Sequence, residues 1–148
     1  MGYRSVLVGT DGSATAELAV RHASELARAF GARLTIVTAF SDTGERERVG
    51  ADVPDDLRWM ITDAAGADER AASGRVIAAE VGVKDVHCRV ARGDPAEALV
   101  DTANDVGADL IVVGSRGMTS ASRFIMGSVP NKVSHHAPCD VIIVRTAR

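Results

Sequence analysis

The chain has 148 residues, 17 basic and 20 acidic side chains, and a formal charge of −3. That length suits one domain with a sizeable core, and that charge gives no general attraction to nucleic acid or to an anionic membrane. Lys84 and Lys132 are the two lysines, so no polybasic patch forms, and the apolar runs are of strand length, which argues against a signal peptide or a membrane span and for a cytoplasmic protein.

Arg4-Ser-Val-Leu-Val-Gly9 reads as the first strand. Thr10-Asp11-Gly12-Ser13 breaks it, and Ser13 is placed to cap a helix. Ala16, Ala19, Val20, Ala23, Leu26, Ala27 and Phe30 make that helix's apolar stripe, and Gly31 ends it. Residues 32–40 form a second strand rich in β-branched side chains. Residues 41–54 read as a polar loop. A second helix is expected over Asp55–Glu80, with Leu57, Met60, Ile61, Ala71, Ala72 and Val76 facing inward. Trp59 is read as packing, and Gly66 and Gly74 as points of bending or interruption.

Lys84-Asp-Val-His-Cys-Arg-Val90 alternates in period two, as a half-exposed strand does. Gly93-Asp94-Pro95-Ala96-Glu97 is a strong helix start, with Asp94 as N-cap and Pro95 first in the helix. Ala98, Leu99, Thr102, Ala103 and Val106 carry the third stripe until Gly107. Asp109-Leu-Ile-Val-Val113 is the most apolar run and reads as a strand buried on both faces. A last helix over Val129–His136 and a last strand over Asp140–Arg145 follow. Cys88 and Cys139 lack C-x-x-C spacing and read as reduced, partly buried thiols, without a zinc site or disulfide.

Strands and helices alternate throughout, which predicts an open parallel sheet covered on both faces. Ligands of such sheets bind beyond the carboxyl ends of the strands, where the winding reverses. Polar, Gly-rich loops follow the first strand at 9–13 and the fourth at 114–120. If those strands are neighbours, both loops open onto one crevice and the strand order is 3-2-1-4-5. The third strand is then an edge blunted by Lys84, Asp85, His87 and Arg89. The fifth, Val141-Ile142-Ile143-Val144, is an apolar edge, which predicts a twofold homodimer through it.

The fourth strand leads into Gly114-Ser-Arg-Gly117, nine further residues, and Gly127-Ser128 at the start of a helix. Free N–H groups and a positive dipole end there suit an anion, most naturally phosphate. No Gly-Lys-Ser/Thr and no Gly-x-Gly-x-x-Gly occurs, which excludes the P-loop and the dinucleotide fingerprint. The Gly-x-x-Gly, nine residues, Gly-Ser pattern resembles that of the universal stress protein family, and the resemblance extends along nearly the whole chain. It implies the same α/β sandwich, with five parallel strands ordered 3-2-1-4-5, and ATP as ligand. Asp11 matches the family acid near ribose and base. Ala39 matches a small apolar position whose backbone meets adenine.

Around these, Gly9 and Thr10 line the Asp11 wall and Val113 forms an apolar floor. Gly114 and Gly117 admit ribose and phosphates. Gly127, Ser128 and Val129 supply N–H groups, and Ser128 its hydroxyl, to the phosphates. Arg116 and Arg123 lie in the loop, within reach of phosphate or in solvent. A helix dipole contributes about 0.3–1 kcal/mol per exposed charge, against about 8 kcal/mol for micromolar binding, so adenine burial and direct hydrogen bonds must supply most of the affinity.

No lysine stands in this loop, so AMP and cyclic AMP are alternative ligands, and the Gly127-Ser-Val-Pro130 ending resembles that of cyclic-AMP-binding members. No catalytic or metal-ligating set is found: His22, His87, His135 and His136 have no evident relay, and Ser13 and Ser128 lack one. A nucleotide-dependent sensor or regulator in a stress response is therefore favoured over an enzyme. Slow ATP hydrolysis with Mg²⁺ or Mn²⁺ carried by the phosphates stays open, as does a dimeric scaffold whose nucleotide is structural. An adenylylating enzyme or electron-transfer flavoprotein relative is disfavoured by the short loops.

Overall fold

The computed structural model describes residues 2–40, 64–115 and 128–146. The loop 41–54, the first part of the second helix with Leu57, Trp59, Met60 and Ile61, and Arg116, Gly117, Arg123 and Gly127 lie outside the described residues. The elements run β1 Ser5–Gly9, α1 Ala14–Phe30, β2 Arg33–Phe40, α2 Ala64–Val81, β3 Val86–Arg92, α3 Pro95–Val106, β4 Leu110–Gly114, α4 Ser128–His136 and β5 Asp140–Val144. The five strands are all parallel in the expected order β3-β2-β1-β4-β5, with β1 and β4 as neighbours.

Period-two geometry divides the strand side chains between two cores. Val6, Val8, Leu34, Ile36, Leu110 and Val112 face α1 and α2. Leu7, Val37, Ile111 and Val113 face α3 and α4. Leu7, Leu34, Ile36, Leu110 and Ile111 have almost no solvent exposure. At about 1.5–3 kcal/mol for each such side chain, the three central strands hold most of the hydrophobic stabilisation.

The helix signals act locally as their chemistry dictates. Ala16 N–H donates to Ser13 Oγ at 3.1 Å, and Glu97 N–H donates to Asp94 Oδ2 at 3.1 Å. α1 and α3 both end in a left-handed glycine, Gly31 and Gly107. At the amino end of the sheet, Arg4 and Ser5 donate their backbone N–H groups to the Asp109 carboxylate at 3.0 and 3.1 Å. Asp109 returns its own N–H to Ser5 O at 3.0 Å, so one residue fastens β4 to β1.

Three expectations about helices need correction. The inner face of α2 is Ala67, Ala71, Gly74, Ile77 and Ala78, whereas Ala72 and Val76 are exposed. The helix also runs unbroken through Gly66 and Gly74. A Cβ on Gly74 would stand 3.1 and 3.3 Å from the methyls of Ile36, so this glycine lets the helix sit close on β2 rather than interrupting it. Phe30 leaves the α1 stripe and packs edge-on against Tyr3, ring centroids 5.5 Å apart. The Tyr3 hydroxyl donates to Asp140 at 3.0 Å, and that bond holds the phenol above its ordinary pKa.

One carbonyl at the start of the β3 edge is taken by a neighbouring helix. Arg75 of α2 donates from Nη2 to the Val86 carbonyl at 2.9 Å. On β5, Val141, Ile142 and Val144 are half-buried against the two cores and Ile143 is exposed. Cys88 and Cys139 are free, half-buried thiols whose pKa values burial pushes up. No described helix is long and apolar enough to cross a membrane.

Candidate functional site

The site grows from the carboxyl ends of β1, β2 and β4. β1 and β4 are hydrogen-bonded neighbours, with Val8 beside Val112, and Gly9 and Val113 follow that pair at the carboxyl ends of the two strands. On the other flank Gly9 pairs with Val37, and the Thr10 N–H extends the ladder by donating to Val37 O at 2.9 Å. β2 continues past that point, which brings Ala39, half-buried, along the same rim. Val113 is buried among the α3 and α4 residues and Gly114 is half-buried behind it. Thus Gly9, Thr10, Asp11, Ala39, Val113 and Gly114 meet at one end of the sheet.

The β1–α1 loop is organised by its own side chains. Gly12 N–H donates to Thr10 Oγ1 at 3.0 Å, and Ser13 N–H donates to Asp11 Oδ1 at 2.8 Å. These short side-chain turns fix Asp11 before the helix begins. Asp11 Oδ2 is buried and has no hydrogen-bond partner among the described residues. Burial holds the Asp11 carboxyl above its ordinary pKa, while the hydrogen bonds from Ser13 and the positive charge of Arg70 pull the other way. A buried acceptor left open is costly unless something donates to it, and a hydroxyl of a ligand meets that need.

Three contributors are not legible as site residues in the sequence. Arg70 of α2 lies against Gly12: a Cβ there would come within 2.8 Å of Arg70 Cγ. Leu99 of α3 closes on Gly9 in the same way, a Leu99 methyl standing 3.0 Å from where a Cβ on Gly9 would be, and so backs the crevice wall. Thr38 has a buried hydroxyl without a described partner on the rim of β2. The α3 stripe marks Leu99 only as core. Arg70 carries no motif, and only the packing of α2 on the loop brings it there.

On the opposite side, Ser128 opens α4 and is exposed, while Val129 packs on the α3 and α4 core. Ser115 anchors the strand end below them: its N–H donates to Val144 O at 2.7 Å and its Oγ accepts from Thr146 N–H at 3.1 Å. Lys132 of α4 reaches Asp94, the N-cap of α3, at 3.6 Å in a solvent-facing pair. Among the described residues no group of three His, Cys, Asp or Glu side chains is arranged to hold a metal.

A profile of the universal stress protein family matches residues 2–145. The chain belongs to the universal stress protein family. It is 38% identical over 144 residues to universal stress protein Rv1636 of Mycobacterium tuberculosis, covering 97% of each chain. It superposes with a TM-score of 0.75 on a universal stress protein crystallised with cyclic AMP, at 31% identity over 99% of this chain and 100% of that one. It superposes with a TM-score of 0.71 on the universal stress protein of Archaeoglobus fulgidus in complex with dAMP, at 26% identity over 98% and 100% of the chains. Family and fold together make this a stress protein whose structural relatives include adenine-nucleotide complexes.

Proposed function

We propose that this universal stress protein acts as one nucleotide-binding domain that takes ATP in the crevice between the β1 and β4 carboxyl ends, and works as a nucleotide-dependent sensor or regulator. The observation that carries the reading is the buried, unpartnered Asp11 Oδ2 at the junction of the two loop-bearing strands. A carboxylate there accepts from ribose hydroxyls and repels phosphate, which orients the sugar toward β1 and the phosphates toward α4. Gly9, Thr10 and Ala39 line the sugar and base side, with Val113 as floor. Gly114, Gly117, Gly127, Ser128 and Val129 serve the phosphates, with Arg116 as an added charge. Mg²⁺ or Mn²⁺ would arrive on the phosphates.

A second reading replaces ATP by cyclic AMP or AMP. The loop from 114 to 128 has no lysine to meet a triphosphate, and structural relatives were crystallised with cyclic AMP and dAMP. We further propose a twofold homodimer through β5, where Ile143 is exposed on an edge strand.

Calorimetric titration of nucleotide-stripped protein with ATP, AMP and cyclic AMP, with and without Mg²⁺, tests the site. ATP binding that is lost in Asp11→Ala and Gly127→Val supports the first reading, and preference for cyclic AMP supports the second. No heat with any of the three sinks both and leaves the dimeric scaffold.

A further inference from the structure

Far from the crevice, in the amino-terminal half of β2 and β3, the surface holds a cavity of about 380 Å³ lined by Arg33, Arg75, Arg89, His87, Cys88 and Thr35. The register explains the clustering. Thr35 lies beside His87 and Val37 beside Arg89, so Arg33, Thr35, His87 and Arg89 fall on one face of the sheet. α3 ends against the same cavity at Val106. Arg75 reaches it from α2, around the β3 edge whose Val86 carbonyl it caps.

Each guanidinium makes one contact that leaves donors over. Arg33 donates from Nε to Asp85 at 3.2 Å, Arg89 from Nη2 to Asp105 at 3.3 Å, and Arg75 from Nη2 to Val86 O at 2.9 Å. A guanidinium carries five N–H donors, so every one of the three keeps unused donors beside the cavity. Asp85 also binds His87 Nε2 at 2.7 Å, and the Arg33 and His87 bonds hold its carboxyl below the ordinary range. Neither Asp85 nor Asp105 lines the cavity. Three guanidiniums against two carboxylates leave a local positive excess in a chain whose net charge is −3.

One observation is independent of charge. Thr35 is 1% exposed, and its hydroxyl has no hydrogen-bond partner among the described residues. A buried hydroxyl without a partner is unfavourable, and an oxygen seated on the cavity floor would meet it after a χ1 rotation.

We propose that this groove is a second ligand site, separate from the nucleotide crevice, for a small oxyanion of more than one negative charge. The recognition chemistry is the arginine fork, which pairs with carboxylate and phosphate alike. Ligand pockets run from about 300 to 1,000 Å³, and this one stands near the lower end, which suits a di- or tricarboxylate or a small phosphate ester and not a nucleotide.

Citrate and pyrophosphate are the probes. Each is titrated into isotope-labelled full-length protein by NMR, with sodium chloride at matched ionic strength as control, following the amides of Thr35, His87 and Arg89. Saturable shifts at these amides are expected, weakened about tenfold by Arg33→Gln and by Arg89→Gln, the loss that one charge-assisted hydrogen bond carries. Both arginines are about half-exposed, and unchanged spectra elsewhere verify that the variants fold. Tighter citrate binding assigns a polycarboxylate ligand, and tighter pyrophosphate binding a phosphate ester. Shifts that follow ionic strength alone, saturation confined to the β1 and β4 ends, or equal affinity in wild type and both variants would overturn the proposal.

Discussion

The stem of Arg70 lies across Gly12, with Cγ 2.8 Å and Cδ 3.3 Å from where a Cβ on Gly12 would stand. Gly12 has φ +81°, a conformation that side chains resist, so two separate constraints select glycine there. The contact brings α2 onto the loop that presents Asp11 and sets a positive charge near that carboxylate.

Gly12→Ala is therefore expected to lower stability by about 1–2 kcal/mol, from backbone strain together with the clash. Arg70→Ala in the same chain should recover the steric part and leave the strain. A denaturation double-mutant cycle reads the difference, and strict additivity of the two changes would contradict the contact.

Asp11 should set an opposition between stability and binding. Burial raises its folded pKa above the unfolded one, so its stabilising contribution is present below the unfolded pKa and disappears as pH rises through the folded value. At neutral pH the ionised carboxylate opposes folding. Asp11→Asn should then raise the melting temperature at pH 7 by about 2–4 °C, equivalent to ~1 kcal/mol for a chain of this size. The gain should vanish near pH 3, below the ordinary aspartate pKa of about 3.9. Nucleotide affinity should fall about tenfold, the loss of one strong hydrogen bond to a charged acceptor. Calorimetry at the two pH values, with and without nucleotide, measures both effects.

Gly74 offers a size test. Ile36 is fully buried beneath it and has little room to yield. Gly74→Ala gains about 1 kcal/mol of helix propensity and should come out near neutral after the Ile36 methyls shift. Gly74→Val should lose about 1–3 kcal/mol to overpacking. Urea denaturation of the pair distinguishes this from a simple preference for larger residues in α2.

Asp109 binds two backbone donors at the start of β1. Asp109→Ala should lower stability by about 1–3 kcal/mol through the unpaired N–H groups, and hydrogen exchange at Ser5 should speed up. Asp109→Asn, which keeps one carbonyl acceptor, should lose less.

For the proposed dimer, Ile143→Asp places a charge on the exposed position of β5. Sedimentation should show monomer at concentrations where wild type is dimeric, with the melting transition retained. Dimerisation unaffected by this change would place the interface elsewhere.

Much of this architecture is written locally. Ser13, Asp94, Gly31 and Gly107 act within a turn of their own positions, so the helix ends follow from residue chemistry alone. The 109–113 run announces a central strand because both faces of β4 are covered. The phase of α2 is not legible, because its inner face is alanine and glycine apart from Ile77 and its outer face includes Val76, so the hydrophobic pattern does not single out the buried side. In the crevice, Asp11 and the glycines stand out by spacing, whereas Arg70 reaches the loop only through the packing of an element distant in sequence. The register that gathers Arg33, His87 and Arg89 is likewise a property of the sheet and not of any motif.

The hydrogen bond from Arg75 to Val86 makes the sheet's two margins unlike. One margin has a backbone acceptor already taken and is bordered by charged side chains, while the other ends in the open strand β5. A body with two sticky margins can add copies without limit and grow into a fibre. A body with one can only pair off, so the association proposed through β5 would be self-terminating, while on the far side Arg75 already occupies the Val86 carbonyl.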